Sequence, residues 1–302
     1  MKNKIKYLLL FATICFYTTT YSQQLQTGKK MLQHLRLPEN TKVIRDIVYA
    51  EINGEKLLMD IYIPENQKPL PLVVWIHGGG WKKGSKENCY PALRLLPYGY
   101  AVASINYRLT GIASFPAQLE DCKSAIRYLR ANGAKYNLNT EKIGVWGSSA
   151  GGHLAALLGT TGDISDFDKG DYLEFSSKVQ AVCDYYGPSS ISDMHWRSDR
   201  YGNSPEQLLI GKGEGDFTEK AKKASPVTYV NNDSAPFFIV HGDKDNVVHI
   251  SQSKLLYDSL LKAGVDVEIH IIKGAGHGGP EFTRQDIIEK VVSFFDSYLK
   301  NN

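Results

Sequence analysis

Cysteine is scarce in this chain: it occurs four times in 302 residues, and one of the four, Cys15, falls in an N-terminal apolar run. Cys89, Cys122 and Cys183 are then left, an odd number that allows at most one bridge and excludes a disulfide scaffold. Small buried apolar thiols are the expectation. An excess of one charge is equally lacking. The formal charge is +3, but Lys2, Lys4 and Lys6 stand in the first 22 residues with no acid beside them, so the chain from residue 23 onward is formally neutral. Nothing electrostatic therefore points to nucleic acid or an anionic membrane surface as partner. Internal repeats, low-complexity tracts and a second long apolar run are all absent, so a single domain over 23–302 is the simpler reading.

What is present begins with the leader. A basic start, Met1 to Lys6, precedes an apolar run from Tyr7 to about Tyr17, and Thr18, Thr19, Thr20, Ser22, Gln23 and Gln24 follow. This is the pattern of a signal peptide over 1–22, too short for a comfortable membrane span, and it predicts an exported protein, periplasmic or secreted, without stable membrane insertion after cleavage. Two other readings are an N-terminal core helix and lipidation at Cys15, which the bulky Ile14 before it opposes.

Short stretches rich in Val, Ile and Tyr recur at 43–50, 57–63, 72–77, 100–107, 142–146, 179–185, 236–241 and 265–272. Leu119, Cys122, Ile126 and Leu129 share one helical face, as do Ile288, Val291, Phe295 and Leu299. Strands alternating with helices predict an α/β class chain with a mostly parallel eight-stranded sheet covered on both faces. Asn53-Gly54 turns the first two strands into a hairpin. Ligands in such sheets bind beyond the carboxyl ends of the strands. Two stretches break the alternation. The acidic loop Asp163 to Glu174 fails the EF-hand spacing, lacking glycine at the sixth position from Asp163 or Asp166, and reads as a solvated loop. The segment 187–226 reads as a small cap over the site.

Gly147-Ser148-Ser149-Ala150-Gly151 lies between a strand and a small-residue helix, the context a nucleophile elbow requires. Ser149 then stands at a helix N-terminus, where free N–H groups favour developing negative charge. His77-Gly78-Gly79-Gly80-Trp81 ends an earlier strand, and its uncovered N–H groups, with that of Ala150, can form an oxyanion hole. Among eight histidines, His277 alone sits in a glycine-rich loop after the last strand, free to reach the serine from a separate loop. His153, His241, His249 and His270 read as structural, and His34 and His195 as reserves. The carboxylate follows the penultimate strand in His241-Gly242-Asp243-Lys244-Asp245, in the chain order Ser, Asp, His. Asp243 is close enough to the strand end to brace the turn, and Asp245 is placed to project towards His277. Trp81, Phe115, Tyr185, Tyr186, Trp196 and Tyr201 are candidates to stack on a ring or sugar face, with Trp81 the one expected to line the pocket.

Across almost the whole chain these motifs resemble the α/β-hydrolase serine esterases related to the hormone-sensitive lipase group, with its His-Gly-Gly-Gly motif. The nearer likeness is to bacterial feruloyl and acetylxylan esterases, because Ser148 stands where the lipase group usually has aspartate. The resemblance implies Ser149 as nucleophile, His277 as general base, Asp245 as the orienting acid and Gly79, Gly80 and Ala150 as oxyanion donors. It implies no cofactor and no metal. It further implies removal of acetyl or feruloyl groups from plant polysaccharide through an acyl-enzyme, with an acylated carbohydrate or another small ester as substrate. Kynurenine formamidases and prolyl-oligopeptidase-type peptidases share much of the grammar, so an aryl formamidase or a peptidase is the alternative. An inactive binding protein on a hydrolase scaffold is the remaining one; such proteins usually lack the serine or histidine, and both are here.

Overall fold

The computed structural model describes residues 37–194, 204–211 and 216–300; the leader, His34, His195, Trp196 and Tyr201 lie outside them. Pro38–Asn302 form one compact unit. Its strands are β1 (Lys42–Ile52), β2 (Glu55–Ile63), β3 (Leu70–Ile76), β4 (Ala101–Ile105), β5 (Leu138–Ser148), β6 (Ala181–Tyr185), β7 (Phe237–Gly242) and β8 (Val267–Ile272). They make one sheet in the order β1-β2-β4-β3-β5-β6-β7-β8. β1 and β2 pair antiparallel, β2 runs antiparallel to β4, and the rest are parallel. Asn53 and Gly54, at φ of 53° and 82°, take the left-handed pair that a tight hairpin needs.

The central strands are buried on both faces, which is why they read as continuous apolar runs rather than alternating ones. Short α1 (Tyr90–Leu93) precedes β4, and α2 (Ala117–Asn132) and α3 (Ala150–Thr160) follow β4 and β5. α4 (Pro205–Ile210) and α5 (Phe217–Lys223) lie between β6 and β7, α6 (Ser251–Lys262) precedes β8, and α7 (Gln285–Phe295) follows it. In α7, Ile288, Val291 and Phe295 are fully buried, each contributing on the order of 1.5–3 kcal/mol by leaving water. No helix among the described residues is long and apolar enough to cross a membrane.

The acidic loop is largely exposed, as a solvated segment should be, but Asp168 ties it to the body. Lys123 of α2, fully buried, donates from Nζ to the Thr161 and Ile164 carbonyls at 2.8 and 3.0 Å and to Asp168 Oδ2 at 3.3 Å. Arg127, one turn on, donates to Asp168 Oδ1 at 2.6 Å and to the Asp171 carbonyl at 3.2 Å. The loop is a clasp whose central carboxylate neutralises two buried cations, and burial holds both cations' pKa below the ordinary values. Within the cap segment, 187–194 are turns and irregular backbone, and α4 and α5 are its helices. α4 opens on a reciprocal capping box between Ser204 and Gln207, and Phe115 N–H donates to Leu209 O at 2.7 Å, tying it to the body.

Candidate active site

Parallel strands place β3, β5, β6, β7 and β8 with their carboxyl ends on one edge of the sheet, and the chemistry-bearing loops follow those ends. Ser149 follows β5 with φ 55° and ψ −121°, a strained conformation that lifts its hydroxyl out of the turn. Two glycines make room for it. A Cβ on Gly147 would fall 2.1 Å from the Gly151 carbonyl oxygen, and one on Gly151 would fall 2.0 Å from that of Ile76. The turn is fixed further by Ser149 N–H donating to Tyr185 O at 2.8 Å.

His277 hangs from the loop after β8, whose shape Asp243 maintains by accepting from Gly274 N–H at 2.6 Å. Ser149 Oγ lies 2.8 Å from His277 Nε2, and His277 Nδ1 lies 2.7 Å from Asp245 Oδ2. A carboxylate only accepts, so Nδ1 carries the hydrogen and Nε2 is free to accept from the serine. Asp245 Oδ1 accepts from Val247 and Val248 N–H at 2.8 and 2.9 Å. Burial pushes the Asp245 carboxyl up, but the hydrogen bonds from His241 and His277 outweigh it and hold the group well below the usual carboxylate range. The two candidate acids thus divide the work, Asp243 bracing the loop and Asp245 orienting the base.

Gly79 and Gly80 have φ of 119° and 61°, and their N–H groups donate to no backbone acceptor among the described residues. The Ala150 N–H, first in α3, has no intrahelical partner either. A Cβ on Gly78 would lie 2.7 Å from Ser148 O and 3.4 Å from Ser149 Cβ, so the glycine loop rests directly against the elbow. Three free donors beside a serine paired with an imidazole form the arrangement for a tetrahedral oxyanion.

Trp81 is a correction. It has φ 56° and is 2% exposed, and its indole N–H donates to His153 Nδ1 at 3.2 Å. The positive φ turns the ring inward beneath the oxyanion loop, so it supports the loop and does not line the pocket. His153 in turn donates from Nε2 to Ala224 O at 2.6 Å, and burial lowers its pKa to about 4, so it stays neutral. His77 is likewise buried, stacked on Tyr107 with ring centroids 4.4 Å apart. His249 pairs with Ser251 at the surface.

Sequence reasoning named Tyr186 only as a stacking candidate and His241 only as structural, and missed their places beside the base and the acid. Tyr186, at φ 45°, packs its ring edge-on to His277 with centroids 4.8 Å apart. His241 lies 3.2 Å from Asp245 Oδ2. Its spacing four residues before Asp245 was the available signal. Beside the Asp245 loop a cavity of about 420 Å³ is lined by Asp193, Ser204, Pro205, Glu206 and Val247. Pro205 stands over Gly80, where a Cβ would meet its ring carbon at 3.3 Å, which joins the cavity to the oxyanion loop.

Fold and site together have the α/β-hydrolase arrangement, with the nucleophile elbow, the glycine loop and the acid and base loops each on its expected strand end. The BD-FAE family model matches residues 59–260, from β2 through the glycine loop, the elbow and Asp245 to α6, and the chain belongs to that family. Esterase LipQ of Mycobacterium tuberculosis is 31% identical over 196 residues, 64% of this chain and 46% of LipQ. The chain spans about half the length of the curated relatives it matches. Among solved structures, a truncated carbohydrate esterase from gut microbiota is 31% identical with a TM-score of 0.78, covering 88% of this chain and 100% of that one. A bifunctional GH43-CE protein of Bacteroides eggerthii is 36% identical with a TM-score of 0.75, over 84% of this chain and 35% of its own.

Proposed function

We propose that the protein is an exported serine carboxylic-ester hydrolase that removes acetyl or feruloyl groups from plant polysaccharide or its oligosaccharides. The observation that carries the reading is the Ser149–His277–Asp245 chain at 2.8 and 2.7 Å beside three free N–H donors. In this geometry His277 takes the Ser149 proton as the serine attacks the ester carbonyl and returns it to the leaving alcohol, while Asp245 stabilises the imidazolium. Water then repeats the attack on the acyl-enzyme. The carbohydrate part of the reading draws on two similar structures whose names contain carbohydrate esterase activity, and on the cavity beside the site. Asp193, Glu206 and Ser204 offer it acceptors for the hydroxyl groups of a sugar. Export rests on the basic start and apolar run of residues 1–22.

The test is release of acetate and ferulate from acetylated and feruloylated xylan oligosaccharides by the protein from residue 23 onward, with Ser149→Ala as blank. Release by the parent alone supports the reading and names the acyl group. Equal traces from both sink it, and aryl formamides and short peptides become the next substrates. Fractionation of cells expressing the full chain checks export: full-length, cytoplasmic protein would contradict it.

A further inference from the structure

Asp245 receives two imidazoles, and only one of them touches the nucleophile. His241, near the end of β7, is fully buried; its Nε2 lies 2.9 Å from Val248 O and 3.2 Å from Asp245 Oδ2. That oxygen is the one His277 Nδ1–H already occupies at 2.7 Å. A carbonyl and a carboxylate only accept, so Nε2 carries a hydrogen, bonded to Val248 O and facing Asp245 Oδ2. The opposite nitrogen, Nδ1, is held 2.6 Å from Ser253 Oγ, which anchors the ring. Ser253 is fully buried on α6, so no solvent competes for that bond. Asp184, also fully buried, couples electrostatically to His241, and the Tyr186 ring lies 6.3 Å from it.

We propose that His241 is a positioning residue for the hydrolytic reaction: an imidazole, anchored at Nδ1 by Ser253, whose Nε2–H faces Asp245 Oδ2 and aims this carboxylate at His277. The inference rests on the reading of Ser149, His277 and Asp245 as catalytic triad. The reason it matters is rotational. Two backbone N–H groups pin Oδ1, but Oδ2 held by His277 alone would follow that ring as it moves between serine and leaving group. With His241 as second donor the carboxylate plane is fixed from a rigid strand, and the base is delivered to Ser149 in one orientation.

The test is the rate at which a fluorophosphonate probe labels Ser149, measured on the parent and on His241→Asn, His241→Gln and Ser253→Ala, each shown to be folded by its melting curve. An asparagine amide reaches the Nδ1 position and keeps Ser253 but not Asp245, whereas a glutamine amide reaches the Nε2 position. His241→Asn should label about 10- to 100-fold slower, the usual weight of a donor to a charged acceptor, and His241→Gln should return to within about fivefold of the parent. Ser253→Ala, which removes the anchor at Nδ1, should label about 3- to 10-fold slower. Equal labelling of parent and His241→Asn overturns the proposal, and so does equal loss in the Asn and Gln variants, which marks a packing role. Should His241→Asn fail to fold, Ser253→Ala decides: unchanged labelling overturns it. Labelling does not depend on the acyl group, so failure to release acetate or ferulate bears on the substrate and not on His241. A parent that resists the probe removes the triad reading and this proposal together.

Discussion

At the residue scale, the site is a set of polar atoms whose partners are fixed before substrate arrives, and single changes should separate their roles. Asp245→Asn keeps the shape but presents an amide to His277, favouring the wrong tautomer, and should lower kcat by about 10⁴-fold with little change in KM. A similar loss in Asp243→Asn, measured in parallel, would contradict the division of labour between the two acids. Because His277 must accept the serine proton, kcat/KM should fall towards acid pH, and a profile flat into acid would count against it as base. Asp184 behaves differently. Burial raises its pKa to about 6, against the smaller opposing effects of the Gly187 N–H and His241, and its Oδ2 has no hydrogen-bond partner among the described residues. Its folded pKa therefore stands above the unfolded one of about 4, so the stability it contributes is full below pH 4 and is lost as pH rises through about 6. Asp184→Asn should be stabilised relative to the parent by on the order of 2–3 kcal/mol at pH 8 and scarcely at pH 4. A melting difference independent of pH would refute this.

Residue reading from the sequence did well where a role depends on loop membership and poorly where it depends on side-chain direction. Ser149, Asp245 and His277 are legible because strand ends dictate where their loops converge. Trp81 was misplaced because adjacency to Gly80 says nothing about which way a ring points, and a positive φ sent it into the core. His241 was hidden because a histidine closing a buried strand looks structural until its partner across the turn is known.

Elements carry the next level of specificity. The eight strands were legible from composition because buried parallel strands are short β-branched runs bounded by turn residues, whereas their order, with β4 between β2 and β3, was not. The helices inside the cap were not, because α4 and α5 are short with little apolar periodicity, held by the Ser204 capping box and by contacts to the body. If α4 presents Glu206 to the sugar, Glu206→Ala should raise KM for acylated xylo-oligosaccharides about 3- to 10-fold and leave p-nitrophenyl acetate unaffected. Equal effects on both substrates would place Glu206 in folding and not in recognition. The acidic loop makes the opposite point: its charges read as solvated, yet Asp168 is the partner of two cations buried on α2. Lys123→Met leaves the Thr161 and Ile164 carbonyls without their donor, which should cost about 1–3 kcal/mol and open residues 163–174 to limited proteolysis. An unchanged digestion pattern would argue that Arg127 alone holds the clasp.

For the molecule as a whole, the sheet acts as a jig. Its parallel strands deliver the oxyanion loop, nucleophile, acid and base from β3, β5, β7 and β8 to one edge, and glycines at Gly78 and Gly151 let the first two of these touch. The scarcity of cysteine fits this economy, since Cys89, Cys122 and Cys183 are all buried and free. Burial also raises the pKa of each thiol. They should react with a thiol reagent only on unfolding. The account turns on Ser149 carrying the acyl group, and the most direct measurement is mass spectrometry of the protein quenched during turnover of an acetyl or feruloyl ester. An acyl adduct on the peptide containing Ser149, absent from Ser149→Ala, is the predicted result; ester turnover with no adduct there, or with one on another residue, would contradict it.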